Sequence, residues 1–119
     1  MRNFREYDFW KDSMELTKKI YLLTDKFPKF NGLINQIQRA SASIPSNIAE
    51  GAAKTSIIDF ARYLEIALGS AYETETQLEL SYSIGYISSS ERDELIDSIQ
   101  SIERRLTSFI NTLRHSQQP

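Results

Sequence analysis

A long row of apolar and small residues in the middle of the chain constrains the fold more than any other feature. It recurs at alternating intervals of four and three residues, as Phe60, Leu64, Ala67, Ala71, Thr74, Leu78 and Ser81. Residues at this spacing lie on one face of an α-helix. Such a helix has to bury the row against other helices, so we predict a core-facing helix over residues 56–84.

Three further segments carry the same periodicity. Together the helices are predicted at about residues 8–27, 32–51, 56–84 and 89–114. Short turns separate them, and the fold class predicted is therefore all-α, an up-down-up-down antiparallel four-helix bundle formed by a single domain over residues 1–119. Residues 1–7 are expected to be a frayed arm, and residues 115–119 a disordered polar tail.

Local signals predict where these helices begin and end. The expected N-caps are Asp8, Asn31, Thr55 or Ser56, and Ser88, the last forming a capping box with Glu91. Pro28 should stop the first helix, since a proline disfavours helical dihedrals in the residue before it. Gly51 and Gly85 are expected at the ends of the second and third helices.

Pro45 is unusual because it lies inside the predicted second helix. A proline there removes one backbone hydrogen bond and crowds the carbonyl four residues back, that of Ser41, at a cost of about 3 kcal/mol. We predict that the helix is kinked near Pro45, or consists of two pieces that meet there, with flanking serine hydroxyls satisfying the freed backbone groups. Gly69, in the interior of the third helix, should have a packing reason because it costs about 1 kcal/mol relative to Ala.

Polar residues run along the second helix beside its apolar row and face the third. We interpret them as a buried structural network that joins the two helices, with Arg39 as the cationic partner of Glu75; its members are Arg39, Ser43, Asn47, Glu50, Ser70, Glu73 and Glu75. The alternative is a site for a ligand or RNA. If the network is buried, Arg39→Ala should cost several kcal/mol.

The sequence contains few of the residues that commonly act in catalysis. The chain has no cysteine and one histidine, His115, which has no glutamate three residues before it and so does not fit a bundle di-iron motif. No serine has a base near it in the pattern. We therefore predict no catalytic residue, no metal site, no cofactor and no small-molecule substrate.

Charge and aromatic content suggest two kinds of partner. The net charge of −2 argues against strong nucleic-acid binding, although one basic group could contact phosphates: Lys11, Lys18, Lys19, Lys26 and Lys29. Solvated lysines opposite an apolar stripe are the simpler interpretation. The aromatic residues exceed what one small core needs, which suggests a subunit interface.

Several motifs resemble one known family over roughly residues 9–113. They include Ser43-Ile-Pro-Ser-Asn-Ile-Ala-Glu-Gly51, Ala67-Leu-Gly-Ser70 and Glu73-Thr-Glu-Thr-Gln-Leu78. The chain resembles the four helix bundle protein family, also called the 23S rRNA intervening-sequence protein family and sometimes labelled ribosomal. The resemblance implies a four-helix bundle, a ring-like homopentamer and no defined activity, and many relatives are encoded within rRNA genes. A related branch, the accessory variability determinant of diversity-generating retroelements, binds nucleic acid through a strongly basic surface, from which this acidic chain departs.

These observations favour a non-enzymatic, homo-oligomeric scaffold or adaptor. The alternative is an accessory protein that binds rRNA or retroelement RNA or DNA, and an enzyme is the third hypothesis. No apolar run approaches the ~20 residues that span a bilayer, and the first ten residues lack an apolar signal core. We therefore expect a cytoplasmic protein that does not enter membranes.

Overall fold

Four α-helices make up most of the computed structural model, which describes residues 2–116. A short 3₁₀ turn, Phe4–Glu6, precedes α1 (Asp8–Thr24), α2 (Gly32–Ala52), α3 (Ile57–Ser83) and α4 (Ser89–His115). The helices pack in chain order around a square, α1 on α2, α2 on α3, α3 on α4 and α4 on α1. The bundle is 52 Å long and 21 Å across in both other directions. The predicted all-α four-helix bundle is confirmed.

The core lies along the axis of the bundle, where the four apolar rows meet. All seven members of the predicted α3 row, from Phe60 to Ser81, are buried. They pack with branched residues of the other helices, including Ile20 of α1, Ile44 of α2 and Ile102 of α4. Every methylene moved from water into such a core contributes about 0.8 kcal/mol, so these rows dominate the stability of the bundle.

The predicted N-caps of α2, α3 and α4 are confirmed. The Asn31 side chain accepts from the Leu33 amide at 2.9 Å, and the Ser56 hydroxyl accepts from the Asp59 amide at 3.0 Å. Ser88 and Glu91 form the full capping box. Each cap satisfies amide donors that have no partner inside their helix.

The ends of α1 differ from the prediction. Asp8 is the first helical residue rather than the cap, and Tyr7 stands at the N-cap without a side-chain bond. At the other end α1 stops at Thr24, because the amides of the next residues bond three positions back instead of four. Phe27, for example, donates to the Thr24 carbonyl at 3.0 Å. This tight turn precedes Pro28 and still buries the Phe27 ring.

Helix α2 is continuous through the buried Pro45 and ends at Ala52, one residue beyond Gly51. The alternative of two helical pieces is therefore wrong, while a bend within the continuous helix stays a prediction. The carbonyl that Pro45 leaves free, that of Ser41, accepts a hydrogen bond at 3.0 Å from the Thr17 hydroxyl of α1. The expectation that flanking serines serve this carbonyl is wrong.

The first residues of the described chain are packed, not frayed as expected. The Arg2 guanidinium donates to the carbonyls of Ala52 and Lys54 at the end of α2, and it lies 4.5 Å from the centre of the Phe60 ring. Phe4 packs against the core and lies edge-on to Trp10. Met1 and residues 117–119 lie outside the described residues, and of the predicted tail, His115 is helical.

Two glycines have opposite surroundings. A Cβ at Gly51 would lie 2.6 Å from the Cβ of Tyr63 and 3.2 Å from the Phe60 ring, so α2 and α3 touch closely there. A Cβ at Gly69 would meet nothing within 4 Å. The packing reason expected for Gly69 is therefore absent within the described chain, and Gly69 lies on the exposed side of α3.

Candidate functional site

Three residues of the predicted polar network meet between α2 and α3. The hydroxyls of Ser43 and Ser70 are 2.9 Å apart, and the Asn47 amide donates to the carbonyl and the hydroxyl of Ser43, both at 2.8 Å. All three side chains are partly buried. The contact sets the register of the two antiparallel helices. We call the surrounding surface the α2–α3 face, formed by Arg39, Ser43, Asn47, Glu50, Ile66, Ser70, Glu73 and Gln77.

The charged members of the predicted network do not join these three. Arg39, Glu50 and Glu73 are exposed, and within residues 2–116 Arg39 forms no ion pair or hydrogen bond. The pairing of Arg39 with Glu75 is wrong for the single chain. Glu75 lies five residues after Ser70, about 140° around the helix at 3.6 residues per turn, so it points towards α4. There it accepts from the Gln100 amide at 3.2 Å.

Gln77 leaves the α2–α3 face with an unsatisfied group. Its side chain is 8% exposed, and its carbonyl oxygen Oε1 has no hydrogen-bond partner in the described chain. Its amide nitrogen reaches Glu73 only at 3.5 Å, the long limit of a hydrogen bond. Buried polar atoms without partners are rare in native proteins. Gln77 Oε1 is therefore an acceptor for which the described chain supplies no donor.

A polar groove of about 570 Å³ lies on the other side of α3, against α4; its lining residues are Tyr72, Gln100, Glu103, Arg104, Thr107, Ser108 and Asn111. With Glu75 at its edge, we call this surface the α3–α4 face. Glu103 is 7% exposed, and its Oε2 atom has no partner in the described chain. Burial, followed by a hydrogen bond and charge repulsion from Glu75, raises the pKa of Glu103 to about 8.

Glu103 and Gln77 were not among the site residues predicted from the sequence. Glu103 occupies an apolar position in a row with Ile96, Ile99 and Ile110, and all four side chains are buried. A carboxyl at a core position of a helix is the signal that identifies it, because an isolated buried charge is costly. Gln77 carries no comparable signal, since an amide at the edge of a helix face is common.

Ion pairs lie at both ends of the α3–α4 face. The Arg92 guanidinium donates through two nitrogens to the Glu79 carboxylate, at 2.7 and 2.5 Å. This forked bond holds the pKa of Glu79 below its usual range. At the other end Arg114 pairs with Glu65 at 2.5 Å. The Glu75–Glu103 region between them has no such pair among the described residues.

Large apolar side chains are exposed along α3 and at its C-cap. Their exposed fractions lie between 44% and 54%; they are Ile58, Ile66, Tyr72, Leu80, Tyr82 and Ile84. Single exposed apolar residues are ordinary, but several on one helix indicate a contact surface. Gly69 lies among them, where the missing side chain leaves the backbone open to close approach.

The five candidate lysines are divided between two environments. Lys19 of α1 pairs with Glu94 at 3.1 Å, and Lys26, in the turn after α1, pairs with Glu91 at 2.5 Å, so two of the five charges are offset by α4. Lys11, Lys18 and Lys29 are exposed. Contact with phosphates stays a prediction for all five residues.

The described residues offer few groups for catalysis. The only histidine of the chain, His115, is exposed at the end of α4. Across residues 2–116, no three or more His, Asp or Glu side chains are grouped so that they could hold a metal ion. None of the described helices is long and apolar enough to cross a membrane.

The fold and these surfaces define a helical bundle with two polar faces that meet at α3. Residues 5–108 match the family model described as 23S rRNA-intervening sequence protein. The chain belongs to this family.

A solved structure supports the same assignment. A crystal structure of a protein of unknown function from the S23 ribosomal protein family of Bacteroides thetaiotaomicron has a TM-score of 0.80 and 31% sequence identity. The similarity covers 86% of this chain and 97% of that one. The comparison with curated proteins gave no match.

Proposed function

We propose that this chain is a non-enzymatic subunit of a homo-oligomer, a pentameric ring, which acts as a scaffold or adaptor. The observation that carries the proposal is the exposed apolar side of α3, flanked by two faces that each hold a buried polar atom without a partner among residues 2–116. Interfaces between copies characteristically combine apolar contacts with polar groups that find partners only across the contact. The resemblance described above supports the number five.

The alternative partner, a nucleic acid, is less well supported by the surface. A phosphate-binding surface needs a cluster of unpaired cations. Here two of the five candidate lysines are engaged with glutamates of α4, and α3 carries one arginine against five acidic residues.

Light scattering coupled to size-exclusion chromatography tests the proposal. The wild-type protein should have five times the 13.7 kDa mass of one chain. Leu80→Glu on α3 should lower this mass, because it places a charge within the apolar contact. Leu22→Glu is the matched control, since Leu22 is exposed on α1, away from α3. A wild-type protein that is monomeric at every workable concentration would overturn the proposal.

A further inference from the structure

The two unpartnered buried atoms lie on opposite flanks of α3. Gln77 Oε1 is on the α2–α3 face and Glu103 Oε2 is on the α3–α4 face. Native proteins pair nearly all such atoms, with protein groups or with ordered water. Among the described residues neither atom has a protein partner, and a second copy brought against either face can supply one.

The two faces carry complementary charges. Arg39 on the α2–α3 face is an exposed cation that forms no ion pair among residues 2–116. On the α3–α4 face, Glu75 and Glu103 place two carboxyl groups side by side, and the pKa of Glu103 reflects the shortage of compensating charge. Arg104 is the cation whose charge acts on Glu103, but it is exposed and makes no ion pair in the described structure.

Arg39 and Glu75 also lie at the same height along the bundle. The bond between Ser43 and Ser70 aligns the two helices at that level. Arg39 is four residues before Ser43 and Glu75 is five after Ser70. Because α2 and α3 are antiparallel, both displacements run in the same direction, about 6 and 7.5 Å at 1.5 Å per residue.

The equal heights of Arg39 and Glu75 along the bundle axis are what a ring of copies requires. A rotation about an axis parallel to the bundle leaves every atom at its own height, so it brings Arg39 of one copy level with Glu75 of the next. Neighbouring faces of a four-helix bundle meet at about a right angle. A contact from one such face to the other is head-to-tail, and faces that meet at an angle of this order close into a ring of about four or five copies.

We propose that Arg39 of each copy binds the Glu75–Glu103 carboxyl pair of the neighbouring copy. The proposal rests on the proposed homo-oligomer and names the contact that holds it together. A planar guanidinium offers five donors and engages carboxylates through two of them at once. The guanidinium supplies the donor that Glu103 Oε2 lacks among the described residues. Its positive charge also reduces the repulsion between the Glu75 and Glu103 carboxyl groups.

Charge reversal followed by light scattering tests the contact. Arg39→Glu and Glu75→Arg should each reduce the assembled mass to that of the monomer. The two changes combined in one chain restore an opposite-charge pair across the contact, so the double variant should assemble again. Circular dichroism confirms folding of each variant, and the milder Arg39→Gln should weaken assembly at least tenfold.

Two controls separate this contact from general charge effects. Lys18→Glu and Glu15→Arg reverse exposed charges on α1, which does not contact α3 in the described bundle and lies outside both faces; both variants should assemble as the wild type does. If the wild type assembles and Arg39→Glu leaves its mass unchanged, the contact is wrong while the proposed function stands. A monomeric wild type would overturn both.

The pH dependence of assembly provides a second readout. The charged and titratable groups around Glu103 are Glu75 and Tyr72 from α3 and Arg104 from α4, and the proposed contact adds Arg39 of the neighbouring copy. Because the pKa of Glu103 is about 8 in the free chain and an arginine partner lowers it, assembly releases a proton. Association should therefore tighten from pH 6 to 8, by up to about tenfold per pH unit for each contact. Glu103→Gln should abolish this dependence, and an unchanged dependence would contradict the contact.

Discussion

The Thr17 hydroxyl donates a hydrogen bond at 3.0 Å to the Ser41 carbonyl, the group that Pro45 leaves without a helical partner. The hydroxyl has one proton and shares it between this carbonyl and the Ser13 carbonyl of its own helix, which is 2.8 Å away. Helix α1 therefore completes the hydrogen bonding of α2 at the point where a proline interrupts it. This contact explains how a buried proline is accommodated within a continuous helix.

Replacing Thr17 by Val should destabilise the protein by about 1–3 kcal/mol, because the buried Ser41 carbonyl then loses its donor. In a Pro45→Ala background the restored amide can serve that carbonyl, so the same Thr17→Val change should cost less. Urea denaturation of the four proteins of this cycle, at one protein concentration, measures the difference. Equal costs in both backgrounds would show that Thr17 does not compensate for the proline.

Alanine at the two helical glycines should act in opposite directions. Gly51→Ala gains about 1 kcal/mol of helix propensity, but its Cβ would lie 2.6 Å from the Cβ of Tyr63. Overpacking of this kind costs about 1–3 kcal/mol, and we expect a net loss of stability. Gly69→Ala meets no neighbour within the chain and should raise the stability of a folded monomer such as the Arg39→Glu variant. Thermal melts of both variants in the Arg39→Glu background compare their melting temperatures. A higher melting temperature for Gly51→Ala would contradict the close contact between Gly51 and Tyr63.

The stability of the same Arg39→Glu monomer should depend on Glu103 above pH 5. Burial and Glu75 raise the pKa of Glu103 from 4.5 to about 8 in the folded chain. Between these values the folded state binds more protons than the unfolded state, so the free energy of unfolding should fall as the pH rises. Glu79 and Glu91, whose pKa values are lowered, titrate below this window. Denaturation from pH 5 to 9 should show the fall, and Glu103→Gln should remove most of it.

Arg2→Ala should destabilise the bundle by about 1.5–3 kcal/mol, the contribution of hydrogen bonds that involve a charged group. Arg2 bonds to two carbonyls at the C-terminal end of α2, where a cation also interacts favourably with the helix dipole. Arg5→Ala is the control, because Arg5 lies over the Phe4 and Trp10 rings at 5.5 and 6.0 Å and its side chain makes no hydrogen bond among the described residues. Equal losses in calorimetric melts of the two variants would argue against a specific role for Arg2.

Much of the fold could be predicted because the responsible interactions are local. The row from Phe60 to Ser81 places α3, and the cap at Ser88 depends only on residues within one helical turn. The candidate site was harder to predict. Ser43, Asn47 and Ser70 do meet, but helical spacing alone cannot say that Glu75 turns towards α4 and away from Arg39.

The sequence by itself determined where the helices lie and which side of each is buried, because periodicity and capping act over a few residues. Its contiguous motifs, such as Ser43–Gly51, carried the resemblance to the family. Only the tertiary structure decided which polar groups have partners. Thr17 reaches Ser41 across 24 positions of the chain, whereas the Arg39 side chain and the Oε2 atom of Glu103 have no partner among the described residues. Partners for such groups depend on how whole helices face one another, and spacing within one helix carries no record of that arrangement.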